Sequence, residues 1–179
     1  KAEAKSTELI GNLTIHRIEI PAHKSGFLDQ IISFRKYFSE VKRMTKKDKF
    51  DLVIASSSRL FTAYLGFIIS KRNASTLYLD IRDIFVDTLK DVLKNSIIRL
   101  IALIVTRFVE KRTFSNANHI NLISVGFNEY FKKYDRPNYS NFTNGIDDDF
   151  LKVDANQDMN SGNYTITYAG NIGEGQGLH

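Results

Sequence analysis

Cysteine is absent from the 179-residue chain, which removes disulfides, thiolate nucleophiles and zinc-finger arrangements together and suits a reducing cytosol. Histidine is sparse, and His16, His23, His119 and His179 are scattered without ligand spacing, so no metal is expected to carry chemistry. Long apolar runs are missing too. The longest near the middle, Leu100–Val105, falls far short of the ~20 residues needed to cross a bilayer. No glycine-rich segment ends in Gly-Lys-Ser/Thr, which excludes a Walker loop. No internal repeat or low-complexity tract occurs, and the start at Lys1, with no charged-then-apolar leader, reads as a trimmed end.

What is present fits a soluble globular domain. Hydrophobic residues form 42% and charged residues 25% of the chain, enough for one core and against disorder. At this length one domain plus a remnant is the simplest count. The five Asn-X-Ser/Thr sequons, at Asn12, Asn73, Asn138, Asn141 and Asn163, are what an Asn-, Ser- and Thr-rich chain produces by chance; nothing else indicates secretion. A net charge of +5 and a pI of about 9.3 imply an anionic partner: membrane, nucleic acid or nucleotide. The basic residues are not interleaved with a recognised RNA- or DNA-binding motif, so nucleic acid is not expected.

Strands and helices alternate along the chain. Residues 1–13 are polar and mixed and read as a loop, and Thr14–Ile20 alternates as a strand stopped by Pro21. Phe27–Met44 has near-helical apolar spacing. Asp51–Ala55 is a buried-type strand, Ser56–Ser58 a polar turn and Arg59–Ser70 a helix. Strand Thr76–Ile81, a long helix Asn95–Phe114, strand His119–Ser124, a short helix Gly126–Tyr134 and strand Tyr139–Phe142 follow, leading to the turn Asn144-Gly145. This order predicts an α/β fold: a Rossmann-like, mainly parallel sheet flanked by helices. The expected division is a domain over 1–150, a polar linker over 151–163, and a new strand from Tyr164 opening a second domain over 164–179.

Two segments carry candidate chemistry by position. Strand 164–169 runs into Gly170-Asn171-Ile172-Gly173-Glu174-Gly175, a turn of little side-chain bulk where backbone N–H groups can approach an anion. Its glycines do not fit GxGxxG spacing, and a plain structural turn is the competing account. Asp80-Ile81-Arg82-Asp83 stands at the carboxyl end of a predicted parallel strand, the edge where ligands bind in open α/β sheets.

The segments DKFDLVIASSS, LYLDIRDIF, FVEKRTFSNANHINLISVGFNEYF, NFTNGIDDDF and YAGNIGEGQGL, taken in order from about Lys47 to the end, resemble the family 4 glycosyltransferases. The likeness is strongest to bacterial enzymes of O-antigen, capsule and exopolysaccharide assembly. It implies the N-terminal, acceptor-binding domain of a GT-B fold plus the first strand of the donor domain. It also implies sugar transfer from a nucleotide sugar to a glycan or lipid-linked acceptor, usually with retention, without cofactor or metal, at the inner face of the bacterial cytoplasmic membrane.

The resemblance makes Asp83 the candidate catalytic contact to the acceptor hydroxyl and Arg82 the candidate for an acceptor phosphate or carboxylate. An Arg–Asp pair that merely caps the strand or next helix is the alternative. Phe85 and Val86 stand where the family often has Trp-Pro, which leaves the loop shape and acceptor choice open. Ser56 and Ser57 are candidate acceptor contacts or simple helix caps. Asn144 lies in Asn-Gly-Ile-Asp, similar to the family's hinge turn, with Thr143 in place of proline; it is a lesser cleft candidate. Gly170, Gly173 and Gly175 are the candidate donor-diphosphate contacts. The helix 97–114 is either a core helix with solvated charges or an interfacial helix touching an anionic membrane. Outside this family, the competing class is a non-enzymatic α/β module that binds an anion or a protein.

Overall fold

The computed structural model describes residues 4–20, 27–57, 59–86, 95–152 and 167–170. The chain opens with an antiparallel hairpin, β1 (Thr7–Ile10) and β2 (Leu13–His16), joined through Gly11-Asn12. Gly11 takes φ 58°, a conformation that glycine adopts without the Cβ penalty, as the first position of a tight hairpin turn requires. The loop expected over 1–13 is therefore corrected: Thr7–Ile10 pairs with Leu13–His16 across the Gly11-Asn12 turn. The strand expected over 14–20 is confined to β2. Arg17 closes the hairpin base with an ion pair to Glu8 at 2.6 Å.

Helix α1 (Phe27–Met44) follows, then β3 (Leu52–Ser57), α2 (Leu60–Asn73), β4 (Thr76–Ile81), α3 (Ser96–Phe114), β5 (His119–Leu122), a 3-10 turn Val125–Phe127, α4 (Asn128–Phe131), β6 (Asn138–Ser140) and α5 (Asp148–Leu151). The strands β3, β4, β5 and β6 form a parallel sheet in that spatial order. The protein is α/β, with a four-stranded parallel sheet flanked by helices.

Because side chains alternate across a strand, the register sorts the sheet into two faces. One carries Ala55, Leu79 and Ile120 in a single cross-strand row, with Leu77, Ile81 and Leu122 beside them, all buried. Helices α2 and α3 pack on this side and against each other, and α1 meets α2 through the rings of Phe34 and Phe61. Gly66 lets α2 lie close to the sheet: a Cβ there would meet the Ala55 Cβ at 2.8 Å. The opposite face presents Ile54, Tyr78, Asp80, His119, Asn121 and Ser140. Ile54 is 63% exposed, so in the apolar strand 52–55 only Ala55 is buried and Val53 half-buried, on the other face.

Ser56 and Ser57 do not form a turn. They continue β3 and pair in register with Asp80 and Ile81. The helix expected over 126–134 breaks into the 3-10 turn and the single turn α4; Ser124 accepts the Gly126 N–H at 3.2 Å and sets that tighter start. The strand expected at 139–142 is Asn138–Ser140. Residues 167–169 carry no strand. The rest of the expected second-domain strand, the phosphate turn beyond Gly170 and the linker past residue 152 lie outside the described residues.

Helix α3 divides along its length. Its N-cap Asn95 accepts the N–H groups of Ile97 and Ile98, satisfying two of the donors that a helix start leaves open. Its buried residues, Thr106, Val109, Glu110, Thr113 and Phe114, all lie in the second half. The apolar residues of its first half are largely exposed.

Candidate functional site

At the carboxyl edge of the sheet, Ser56, Asp80, Asn121 and Ser140 occupy one cross-strand row over all four strands. Parallel pairing in register brings together residues far apart in sequence, and their polar groups complete one another. Ser56 Oγ donates to Asp80 Oδ2 at 2.7 Å, and Asn121 Nδ2 donates to Asp80 Oδ1 at 2.8 Å. Ser140 Oγ donates to Asn121 Oδ1 at 3.0 Å. His119 Nε2 lies 2.9 Å from Ser140 Oγ, and its ring stacks on Tyr78 at 4.9 Å between centroids.

Asn121 uses its whole hydrogen-bonding capacity here. Besides Asp80 and Ser140 it holds the peptide of Phe142, whose N–H it accepts at 2.8 Å and whose carbonyl it donates to at 3.2 Å. An amide side chain has two donors and two acceptor lone pairs, and all four are engaged on a residue that is 4% exposed. The row therefore also pins the segment leaving β6, which leads to Asn144.

Asp80 is the charged centre of the row. Burial alone would push its carboxyl up, but the hydrogen bonds from Asn121, Ser56 and Arg82, with the Arg82 charge, outweigh this and hold it below the ordinary 3.8. The carboxylate is thus ionised at neutral pH. It anchors Arg82, whose Nε lies 3.1 Å from Asp80 Oδ2 while the guanidinium remains half exposed.

Ser56 and Arg82 are therefore brought together, through Asp80. Arg82 and Asp83 do not pair with each other: Arg82 joins the open face on Asp80, whereas Asp83 lines a crevice on the helical side with Ile81, Leu60, Phe85, Tyr130 and Phe131. Alternation along the extended chain after Ile81 sends the two side chains to opposite sides. Asp83 is exposed and accepts the Ile84 N–H at 3.1 Å. Its crevice has a volume of only about 10 Å³, room for roughly one water. Asn144 lies in the exposed segment 141–147, and Gly170 in an exposed bend. The Ser57 backbone is placed in β3; Gly173 and Gly175 lie outside the described residues.

Sequence reasoning missed Asp80, Asn121 and Ser140 as a unit. Asp80 could have been found from the polar alternation of Tyr78, Asp80 and Arg82 within β4. Asn121 and Ser140 could not, since only the register brings them to Asp80. Among the described residues no cluster of His, Cys, Asp or Glu is arranged to hold a metal ion, and no helix is long and apolar enough to cross a membrane.

A larger cleft of about 400 Å³ lies between α3 and α4, lined by Arg107, Glu110, Lys111, Tyr130, Lys133 and Tyr134. Glu110 organises it: 3% exposed, it accepts from the hydroxyls of Tyr134 at 2.6 Å and Tyr130 at 2.8 Å. Lys133 Nζ stands 3.3 Å from the same carboxylate and 3.6 Å from the Tyr130 ring centroid. Burial, followed by the Glu110 hydrogen bond and charge, pushes the Tyr134 phenol well above its usual range, so it stays a donor. Comparison of the chain with protein-family models, curated proteins and solved structures gives no match.

Proposed function

We propose that this chain is the acceptor-binding domain of a GT-B glycosyltransferase of the family 4 type. In this assignment the sugar comes from a nucleotide donor held largely by a second Rossmann-like domain, and it passes to a hydroxyl of a growing bacterial glycan or lipid-linked acceptor at the inner face of the cytoplasmic membrane. The observation that carries the proposal is the ordered polar row at the carboxyl edge of the parallel sheet, where open α/β folds place their ligands. Asp80 there holds an exposed Arg82 in position without cancelling its reach.

The residues divide the work by charge. Arg82, oriented by Asp80, meets an anionic group of the acceptor, and Ser56 contributes polar contact beside it. Asp83, exposed on the other side of the same strand end, accepts the hydrogen bond of the attacking hydroxyl. Asn144 flanks the acceptor, and the turn from Gly170 through Gly173 and Gly175 receives the donor diphosphate. Separated from its donor half, the chain transfers no sugar.

The test is thermal-shift screening of the protein expressed from the complete gene against UDP-, GDP- and CMP-sugars, followed by a transfer assay with the donor that stabilises it. A ligand at a hundredfold excess over its dissociation constant stabilises by about 2.7 kcal/mol, an easily read shift. No stabilisation by any nucleotide sugar would reject the transferase, and would favour a non-enzymatic anion-binding module.

A further inference from the structure

Asn144-Gly145 is the one Asn-Gly dipeptide of the chain, and the structure leaves the two groups that can react within it free to meet. Both residues are exposed, in the irregular segment between β6 and α5. Among the described residues, neither the Asn144 carboxamide nor the Gly145 N–H makes a hydrogen bond. Gly145 has no side chain to shield its nitrogen, and a Cβ built there would meet nothing within 4 Å. Its φ is not positive, so the backbone does not require glycine at this place.

The other described asparagines are held or shielded. Asn95 also precedes a small residue, Ser96, but its Oδ1 accepts the N–H groups of Ile97 and Ile98 at the start of α3. Asn121 is buried with every hydrogen-bonding site engaged. Asn141 donates to the Leu122 carbonyl and to Asn128, and Asn138, within β6, precedes a tyrosine. This hold ends just short of Asn144: the last peptide that Asn121 fastens is that of Phe142.

We propose that Asn144 is a self-modifying site, which the folded protein converts to aspartate and isoaspartate with water as the only co-reactant. Base removes the Gly145 amide proton, and the nitrogen attacks Asn144 Cγ. The N–Cγ bond forms, the Cγ–Nδ2 bond breaks, and Nδ2 leaves as ammonia with a proton returned from solvent, giving a five-membered cyclic imide. Water then opens the ring. Opening at Cγ restores the ordinary backbone with an aspartate; opening at the backbone carbonyl leaves the chain running through Cβ and Cγ, an isoaspartate. Either product adds a negative charge, so residues 144–149 then hold four carboxylates, with Asp147, Asp148 and Asp149. Isoaspartate also lengthens the main chain by one carbon, beyond the Phe142 peptide. The polar row thus stays fixed while the segment leading to α5 is re-aimed, irreversibly. The reaction belongs to the chain alone and is independent of sugar transfer.

The test ages the full chain in mildly alkaline buffer, native and in urea, and follows it by mass spectrometry after cleavage at lysine. The peptide Tyr134–Lys152 contains Asn138, Asn141 and Asn144, so fragmentation compares all three at once. The expected result in the native protein is a gain of one mass unit at Asn144 alone, at nearly the rate seen in urea, because no contact restrains it. The gain should grow in proportion to hydroxide, and an isoaspartyl methyltransferase should methylate the product. Asn95 is expected to react in urea and to be silent in the native protein, where its cap holds it. Asn144→Gln, whose ring closure would need six members, should lose the reaction, and Gly145→Ala should slow it severalfold with an unchanged melting curve. A native Asn144 that reacts only in urea, equal reaction at Asn138 or Asn141, or an unchanged rate in Gly145→Ala would each overturn the assignment.

Discussion

Asn121 on β5 donates to Asp80 on β4 at 2.8 Å and, with its remaining donor and acceptor sites, fastens the Phe142 peptide and Ser140. One side chain therefore couples two neighbouring strands to the loop beyond β6. Asn121→Asp replaces its two donors by an acceptor, sets a second carboxylate against Asp80 and leaves the Phe142 carbonyl without its partner. A loss of about 3 kcal/mol is expected from unpaired buried groups and like-charge contact. The facing carboxylates hold one proton between them, so the folded-state pKa of the pair rises above its unfolded value. The variant is then most stable at acid pH and loses stability as pH rises through that raised value. Urea melts across the carboxylate range check this, and a variant that gains stability with rising pH like the parent would contradict it.

In the parent protein the sign is opposite. Asp80 is held below its ordinary 3.8, so its contribution is complete above that value and is lost as pH falls through the lower folded-state value. Asp80→Asn should flatten this acid limb while lowering stability at neutral pH, because one amide cannot accept all three of the hydrogen bonds from Ser56, Asn121 and Arg82 equally well. Acid-titrated thermal melts of the two proteins should differ most at neutral pH and converge toward the acid end.

Two substitutions involving glycine should act in opposite directions. Alanine is favoured over glycine inside a helix by about 1 kcal/mol, yet Gly66→Ala places a Cβ 2.8 Å from the Ala55 Cβ, on a strand that cannot yield cheaply. Overpacking of this kind costs about 1–3 kcal/mol, so a net loss is expected. Ala74 ends α2 with φ 51°, a left-handed conformation that costs a residue with a Cβ about 1–2 kcal/mol. Ala74→Gly relieves it against an unfolded-state entropy cost of about 0.4–1 kcal/mol, leaving a small net gain. Chemical denaturation midpoints at constant slope check both signs.

The elements bounded by strong local signals were legible from the chain itself. The helix Phe27–Met44 and the strand Thr76–Ile81 have the bounds that apolar spacing predicts, and Asn95 caps α3 as a short polar side chain before an apolar run should. Where the structure departs, a non-local cause is visible. The serines after Ala55 look like a turn by composition, but the parallel ladder with Asp80 and Ile81 carries the strand through them. The hairpin at Gly11-Asn12 had only the turn dipeptide and the alternation of Leu13–His16 to mark it, since Thr7–Ile10 shows no period of two.

The site was half legible. Position at a strand's carboxyl end marked Arg82 and Asp83, and alternation along β4 was sufficient to show that they diverge. What no local pattern contains is that Asn121 and Ser140, 41 and 60 residues after Asp80, share its row, because register is a property of three strand pairings taken together. The long helix illustrates the same limit: its apolar residues occupy more than one face, and only the packing of α2 and of the Tyr130 and Phe131 rings of α4 against it shows which residues remain outside.

Glu110 should behave as a structural keystone of the α3–α4 contact. Glu110→Ala strips the buried Tyr134 hydroxyl and the part-buried Tyr130 hydroxyl of their acceptor and leaves Lys133 without its counter-ion. A cost of about 2–4 kcal/mol is expected, since each buried donor left unmade costs about 1–3 kcal/mol. Glu110→Gln keeps an acceptor for one hydroxyl and should recover part of that loss. Tyr134→Phe, which leaves Glu110 with Tyr130 and Lys133, should cost about 1.5–2 kcal/mol, the low end for a hydrogen bond to a charged group. Equal losses in all three would show that packing, not hydrogen bonding, holds this contact.

Arg82 and Asp83 are adjacent in sequence but serve different sides of the strand end, so the proposed transferase assignment predicts that their substitution separates binding from turnover in the protein expressed from the complete gene. Arg82→Ala removes an exposed ion pair, costing at most about 1 kcal/mol of stability, and with it the charge proposed to meet the acceptor anion. It should raise KM for acceptor with little change in kcat. Asp83→Asn retains an Oδ1 acceptor for the Ile84 N–H, which preserves the local turn, but removes the negative charge proposed to receive the attacking hydroxyl's hydrogen bond. It should lower kcat by about a hundredfold, the low end of what a general base contributes, with an unchanged melting temperature. Wild-type turnover by Asp83→Asn would reduce Asp83 to a turn cap and move the search for the base to other groups at the cleft.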